Sequence, residues 1–439
     1  MKRAALHSLG CKVNSYETEA MQQMLEQAGY EIVPFHEKAD LYVINTCSVT
    51  NVADRKSRQM IHRARRQNPD AIVAAAGCYV QTAAAQAQED GAADIVIGNN
   101  CKQDLLELIA ECEAQRQRAE GRTQERRPGA GVSEIIDINR PGQSYEELKV
   151  SHPADHTRAF LKIQDGCNQF CSYCIIPYVR GRIRSRKPED VVAETEELVK
   201  NGFQEIVLTG IHLSSYGRDL GCTLLDIIRR LHGNPGVRRI RLGSLEPGII
   251  TEEFVKELAG LKKVCPHFHL SLQSGSDTVL KRMNRKYTAE EYLEKCGILR
   301  KYYEHPAITT DVIVGFPGET EAEFSETCEF VKKAAFYEIH VFKYSRRNGT
   351  AAAKMPDQIP ESVKGERSHI LMGIAEQLKT DFVRWYRGKT VEVLFEEPVW
   401  LNGKQYYEGF TPEYVKTWYP SEESLGNRIM KVEFFGDLV

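Results

Sequence analysis

Asp165-Gly166-Cys167-Asn168-Gln169-Phe170-Cys171-Ser172-Tyr173-Cys174 is the stretch on which the reading of this chain turns. It follows an apolar, strand-like run at 160–164 and sets three cysteines on one loop in a Cys-x3-Cys-x2-Cys spacing. Their number carries the argument. A structural zinc site takes four protein ligands, whereas three thiolates on a cubane iron-sulfur cluster leave one iron open to a small molecule. A zinc knuckle completed by a distant histidine is the alternative reading.

Downstream of the loop, strand patterns recur at 205–209, 239–242, 267–272, 309–314 and 338–342, with helical patterns between them. Together with 160–164 these make six βα units, too few for a closed eight-stranded barrel but suited to a partial (β/α)6 barrel with its active groups on the loops after the strands. The cysteine loop follows the first strand, at that end.

Upstream, buried-strand patterns at 4–9, 41–46, 71–77 and 94–98 alternate with helical patterns at 15–28, 51–67 and 102–116, which predicts an open parallel α/β sheet. Ligands of such sheets bind outside the carboxyl ends of the strands. Cys11, Cys47 and Cys78 each stand within a residue or two of such an end, beside small residues that let a bulky group approach the backbone. Parallel topology gathers them into a second triad; the bland alternative is three buried structural cysteines.

Between 116 and 148 the pattern gives way to charged, Gly- and Pro-containing sequence such as Arg127-Pro128-Gly129, read as a linker with one strand at 135–138. A helix is expected over 360–387. Beyond it, 390–439 alternates apolar and polar residues around turns, as in a small antiparallel β-barrel attached as an add-on. Its Tyr406, Tyr407, Tyr414, Trp418 and Tyr419 are candidates for exposed stacking on bases, with core packing as the other use.

The expected architecture is thus α/β, in 439 residues, with ample apolar sequence for several cores. The boundaries fall at 1–115, a linker over 116–150, 151–385 and 386–439. No run approaches a membrane span and the start carries no signal-peptide pattern, so the expected location is cytoplasmic, with no membrane partner. Twelve cysteines then serve metal binding or stay reduced; Cys101, Cys112, Cys222, Cys265, Cys296 and Cys328 form the second group. A net charge of −3 argues weakly against nucleic acid, but six cations lie within 55–66 and five within 180–187. Both runs could bind phosphate, and solvated faces are the alternative.

The cysteine loop resembles that of radical S-adenosylmethionine enzymes, and two cysteine triads in this order before a small β-module are similar to the methylthiotransferases of that class. The resemblance covers essentially the whole chain. It implies one 4Fe-4S cluster on Cys167, Cys171 and Cys174, an auxiliary 4Fe-4S cluster on Cys11, Cys47 and Cys78, S-adenosyl-L-methionine as cofactor, and a TRAM module at 390–439 that contacts tRNA. Among the branches, 156–164, Cys174-Ile175-Ile176-Pro177-Tyr178 with Arg180-Gly181, and the stretch 340–350 look most like the threonylcarbamoyladenosine tRNA methylthiotransferases. That implies conversion of N6-threonylcarbamoyladenosine to its 2-methylthio derivative, 3′ of the anticodon. The implied partners are tRNA bearing that nucleoside and an electron donor such as flavodoxin or ferredoxin.

An adenine C2–H bond offers neither acidity nor a leaving group, so proton transfer and ordinary nucleophilic attack cannot open it. Radical chemistry can, and it requires both triads to face one pocket. The resemblance further implies cofactor contacts at Tyr173, at Gly210 (in Thr209-Gly210, where many radical enzymes carry Gly-Gly-Glu), and at Ser244, Glu246, Gln273 and Asp311, at or near later strand ends. Gly315 to Glu319 resembles the adenine-side loop, and locally reads as a turn before a helix. No histidine has a neighbour pattern that demands a ligand role. The alternatives are a methylthiotransferase acting on isopentenyladenosine tRNA or on a ribosomal protein, and a non-catalytic iron-sulfur sensor that binds RNA.

Overall fold

Runs of apolar residues buried on both faces build the first sheet, as a parallel sheet between helices requires. The computed structural model of the chain describes residues 1–120, 131–152 and 157–436. In it β1 (Arg3–Ser8), β2 (Glu31–Ile32), β3 (Leu41–Thr46), β4 (Ile72–Gly77), β5 (Ile95–Ile97) and β6 (Val132–Glu134) pair in the order β2-β1-β3-β4-β5-β6. Every pairing is parallel. On one face α1 (Lys12–Gln27) and the helix Leu105–Glu120 cover Ala4, Val43 and Ala74; on the other α2 (Asn51–Gln67) and α3 (Cys78–Thr82) cover Ala5, Ile44 and Ala75.

The strand expected at 135–138 lies instead at Val132–Glu134, as the sixth member of this sheet. The segment after it is packed, unlike a free linker. The Tyr16 hydroxyl donates to the Leu148 carbonyl at 2.6 Å and the Tyr145 hydroxyl to the Lys162 carbonyl at 2.7 Å. The Arg127-Pro128-Gly129 stretch and His156 lie outside the described residues.

The second body carries β7 (Ala159–Asp165), β8 (Arg184–Ser185), β9 (Glu205–Gly210), β10 (Arg239–Leu242), β11 (His267–His269), β12 (Ala307–Val314) and β13 (Glu338–Lys343). The orders β10-β9-β7-β8 and β11-β12-β13 are joined through the single bridges Ile240↔Val264 and Leu245↔Leu270. Apart from β8 the paired strands are parallel, which gives the six-stranded partial barrel. Side chains alternate along each strand. Leu161, Leu208, Leu242, Leu270 and Val312 enter the core beneath the helices, while Lys162, Glu205, Arg241, His269 and Asp311 take the lumen face.

Helix Glu361–Arg384 leads to β14 (Thr390–Leu401), β15 (Lys404–Phe410), β16 (Lys416–Pro420) and β17 (Ile429–Glu433), an antiparallel sheet in the order β16-β15-β14-β17. The Thr417 hydroxyl, bonded to both the N–H and the carbonyl of Phe435, closes its two edges. This unit is not a loose appendage: Arg239 pairs with Glu392 at 3.0 Å, Arg158 with Glu396 at 2.7 Å, and Arg241 donates to the Pro412 carbonyl at 2.8 Å. It floors the barrel.

That placement corrects the expectation for its aromatics. Tyr407 is buried, Tyr406, Trp418 and Tyr419 are half-buried, and Tyr414 is packed under Arg158 and Arg241 at 4.7 and 4.8 Å. Exposed rings among the described residues of this unit are Trp400, 71% accessible, at the end of β14, and Phe435, 49% accessible.

Candidate active site

The register of β1, β3 and β4 sets their carboxyl ends side by side, and Cys11, Cys47 and Cys78 follow those ends. Close approach is built into the backbone. A Cβ on Gly10, whose φ is +100°, would stand 2.6 Å from the Cys47 sulfur. Asn99 donates to the Cys78 sulfur at 3.6 Å, and Ser57 holds both the N–H and the carbonyl of Cys47. Burial pushes the Cys47 thiol up to about 11, with Cys78 and Cys11 adding to the rise.

The second triad sits on the loop after β7. Gly166, at φ +73°, admits no side chain because a Cβ would meet the Arg182 carbonyl at 1.8 Å. The loop is then pinned: Cys167 N–H donates to the Gly181 carbonyl, Ser172 N–H to Met283, and the Asn284 amide to the Phe170 carbonyl. Two donors aim at sulfur, Gln169 N–H at Cys167 (3.4 Å) and Arg285 at Cys171 (3.3 Å). Burial raises the Cys174 thiol to about 12, with Cys171 and Cys167 raising it further. All twelve cysteines are free thiols. Within each triad the thiols lie in electrostatic reach of one another, and with Asn99, the Gln169 N–H and Arg285 donating to sulfur they form donor sets that fit iron-sulfur clusters, whose sulfurs take such bonds.

The triads share a wall. Cys78 packs against Ile175 and Val179, from the turn that follows Cys174. Next comes Arg180, fully buried, which reaches across to Glu17 of α1 at 2.8 Å, to Asn14 at 2.6 Å and to Asp165 at 3.1 Å. Lys162 and Lys102 complete the network on Glu17 at 2.7 and 3.2 Å. A second tie lies in the stretch 340–350, where Arg347 binds Asp54 and Ser48 and the Arg346 carbonyl accepts from Asn51.

These ties correct the reading of the second basic run as a phosphate site. Arg180, Arg184 and Arg186 are buried, Arg186 on Glu194 at 2.5 Å. The exposed members of that run are Arg182, over the Phe170 ring, and Lys187. On α2, Arg55, Lys56, Arg63 and Arg66 are exposed, whereas Arg65 is tied to Asp94.

Of the expected cofactor positions, Tyr173 packs edge-on to Phe316 at 6.4 Å, Gly210 ends β9, and Ser244 is exposed just beyond β10. Glu246 is engaged in capping Gly248, and Gln273, at φ +73°, pairs with Asp311 through its backbone. Asp311 itself lies in mid-strand, one layer deeper than the others, with its carboxylate 3.3 Å from His269. His269 stacks on His340 at 5.9 Å, and the ligand atoms of these three residues lie within 4.8 Å of one another. Sequence spacing gave no sign of this, because the residues come from three strands. His212, after β9, was also unforeseen; burial lowers its pKa to about 4, and its ring meets Gln169 of the cysteine loop at 3.3 Å.

Residues 161–331 match the family model of the radical SAM superfamily, and residues 3–98 that of uncharacterized protein family UPF0004. The chain is 44% identical, over 99% of its length and 94% of the relative's, to threonylcarbamoyladenosine tRNA methylthiotransferase MtaB of Bacillus subtilis. It is 38% identical to the enzyme of that name from Aquifex aeolicus, covering 92% of this chain and 96% of the relative. The figure is also 38% for a tRNA-2-methylthio-N(6)-dimethylallyladenosine synthase of Moorella thermoacetica, covering 96% and 93%. Among solved structures, the radical S-adenosylmethionine methyltransferase TsrM of Kitasatospora setae superposes with a TM-score of 0.54 at 17% identity, over 78% of this chain and 73% of that one, a likeness of fold.

Proposed function

Because the chain belongs to the methylthiotransferase family of radical S-adenosylmethionine enzymes, we propose that it methylthiolates C2 of N6-threonylcarbamoyladenosine next to the anticodon of tRNA. The observation that supports this reading is the shared wall: Cys78 packs against Ile175 and Val179, from the turn that follows Cys174, so the two thiol triads flank one seam.

Cys167, Cys171 and Cys174 would hold one 4Fe-4S cluster and Cys11, Cys47 and Cys78 the other. Bound with S-adenosyl-L-methionine, they supply the radical cleavage and sulfur transfer that an unactivated C–H bond demands. The chain's own residues position and insulate. Arg285 and the Gln169 N–H donate to the Cys171 and Cys167 sulfurs and fix their positions. Tyr173, Gly210, Ser244, Glu246 and Gln273, around the top of the barrel, are the proposed cofactor contacts, and Asp311 belongs with the deeper lumen. The exposed cations of α2, Arg182 and the 386–439 unit, as a TRAM module, form the tRNA surface. Units at 1–115 and 151–385 complete the proposed division. A flavodoxin- or ferredoxin-like donor supplies electrons in the cytoplasm; among the described residues no helix is long and apolar enough to cross a membrane.

The test is turnover of two tRNAs by the reconstituted protein. The threonylcarbamoyladenosine form should gain a methylthio group and the isopentenyladenosine form should be a poor substrate; equal turnover would sink the branch assignment. Replacing Cys167, Cys171 and Cys174 with alanine should halve an iron content of about eight per chain and abolish S-adenosylmethionine cleavage.

A further inference from the structure

Below the cysteine loop the lumen ends on a floor where the C-terminal unit meets the barrel. Four cations gather there. Arg158 is matched by Glu396, Arg239 by Glu392 and Arg241 by Glu205, each within 3.0 Å. Lys12 is not matched: among the described residues its ammonium has neither a hydrogen bond nor an ion pair, and its one close partner is the Phe160 ring at 5.9 Å. It is exposed, yet it stands within electrostatic reach of Arg241, Arg158 and Glu205, so the space it faces is the cleft between α1 and the lumen. A second group there is unsatisfied. His267, 9% accessible, meets the Tyr414 ring at a tilt of 44° and 5.3 Å and lies within reach of Lys12, and its Nδ1 has no partner.

A floor with one cation in excess and an unpartnered buried imidazole nitrogen is built for an anion with hydrogen-bonding oxygens. Two candidates do not suit it. The carboxylate of S-adenosylmethionine belongs at the cysteine loop, and Asp165, where that loop begins, is five residues beyond Phe160, about 16 Å of strand. A backbone phosphate would have to carry its flanking riboses onto a floor packed with Phe410 and Tyr414. A terminal carboxylate on a slender arm does fit.

We propose that this floor is a carboxylate receptor for the N6 substituent of the substrate nucleoside, with Lys12 binding the threonine carboxylate and His267 hydrogen-bonding to it. The inference rests on the proposed function and supplies the basis of its specificity. Lys12 directly follows Cys11, so the start of α1 offers a thiol to the auxiliary site and a cation to the substrate. An isopentenyl group would leave both polar groups unpaired, the mismatch against which such sites discriminate most strongly.

The experiment uses the reconstituted protein and anticodon stem-loop RNAs carrying threonylcarbamoyladenosine either as the free acid or as its threonine amide, read by equilibrium binding and separately by turnover. The wild-type protein should bind the acid about 30- to 100-fold tighter than the amide. Lys12→Met should bind both at the amide's affinity, and Lys12→Arg should regain part of the preference; iron content reports whether each variant is loaded. Equal binding of acid and amide by the wild type overturns the proposal, whatever the variants do. So does an acid preference that survives in Lys12→Met. A wild type that prefers the acid without methylthiolating it would overturn the activity and leave the receptor standing.

Discussion

Arg180 stands six residues after Cys174 and Glu17 six residues after Cys11, and the two meet at 2.8 Å in a seam sealed from solvent. The last turn of one cysteine loop is thereby locked onto the first helix behind the other. Removing one partner of a buried pair leaves a desolvated charge, which costs about 3–5 kcal/mol. Arg180→Met should lower the urea midpoint accordingly and reduce the iron retained at both sites. A variant as stable as the wild type would show that the seam relaxes around the loss.

The same seam fixes a pH dependence. Burial alone would raise the Glu17 carboxyl, but Arg180, Lys102 and Lys162 outweigh it and hold the group well below its usual range. Asp165 is likewise lowered, Lys162, Arg180 and Arg184 overcoming its burial. Where the folded carboxyl is the stronger acid, the unfolded chain binds more protons below the ordinary value, so stability falls with falling pH. The urea midpoint should therefore hold down to about pH 4.5 and drop below it, and Glu17→Gln should weaken that drop. An unchanged profile in Glu17→Gln would assign acid unfolding to other carboxylates.

Among the basic residues, exposure separates RNA contacts from scaffold. Charge reversal of Arg63 and Arg66 on α2, or of Arg182, should weaken tRNA binding and lower the slope of log K against log salt by roughly one unit per lost phosphate contact. Arg184→Glu should instead unfold the protein, since Arg184 is buried and holds the Arg180 and Arg182 carbonyls. Salt-dependent binding and a thermal melt distinguish the two outcomes.

For the C-terminal unit, truncation and point substitution should part company. Deleting residues 390–439 exposes Arg239 and Arg241 and removes the lumen floor, so cleavage of S-adenosylmethionine should be lost along with tRNA binding. Trp400→Ala, on an exposed ring, should leave the melt unchanged and weaken tRNA binding alone. A truncated protein that still cleaves the cofactor would show that the barrel stands without its floor.

The placement of Cys11, Cys47 and Cys78 at strand ends, and of Cys167, Cys171 and Cys174 on the loop after Ala159–Asp165, was legible because a parallel sheet delivers its strand ends to one edge, so spacing and strand pattern suffice. The second basic run was not, because Glu17, Asp165 and Glu194, which claim Arg180 and Arg186, come from other elements. A charge run looks alike whether water or carboxylates surround it. Glu31–Ile32 and Val132–Glu134 are too short to show a period, and they pair only because a sheet edge is already there. Asp311 was placed near a strand end, yet it lies in a lumen layer with His269 and His340, since depth along a strand depends on where the barrel's rim falls.

The contacts of Arg158, Arg239 and Arg241 with the C-terminal unit have a metric consequence. A module bolted to the floor of the chamber keeps one offset from the reacting centre, so it can serve as a ruler. If the module holds RNA at its exposed face, the nucleotide presented to the lumen would be the one at that fixed distance along the RNA's fold. Selection of one adenosine among many would then be decided by length as well as by chemistry.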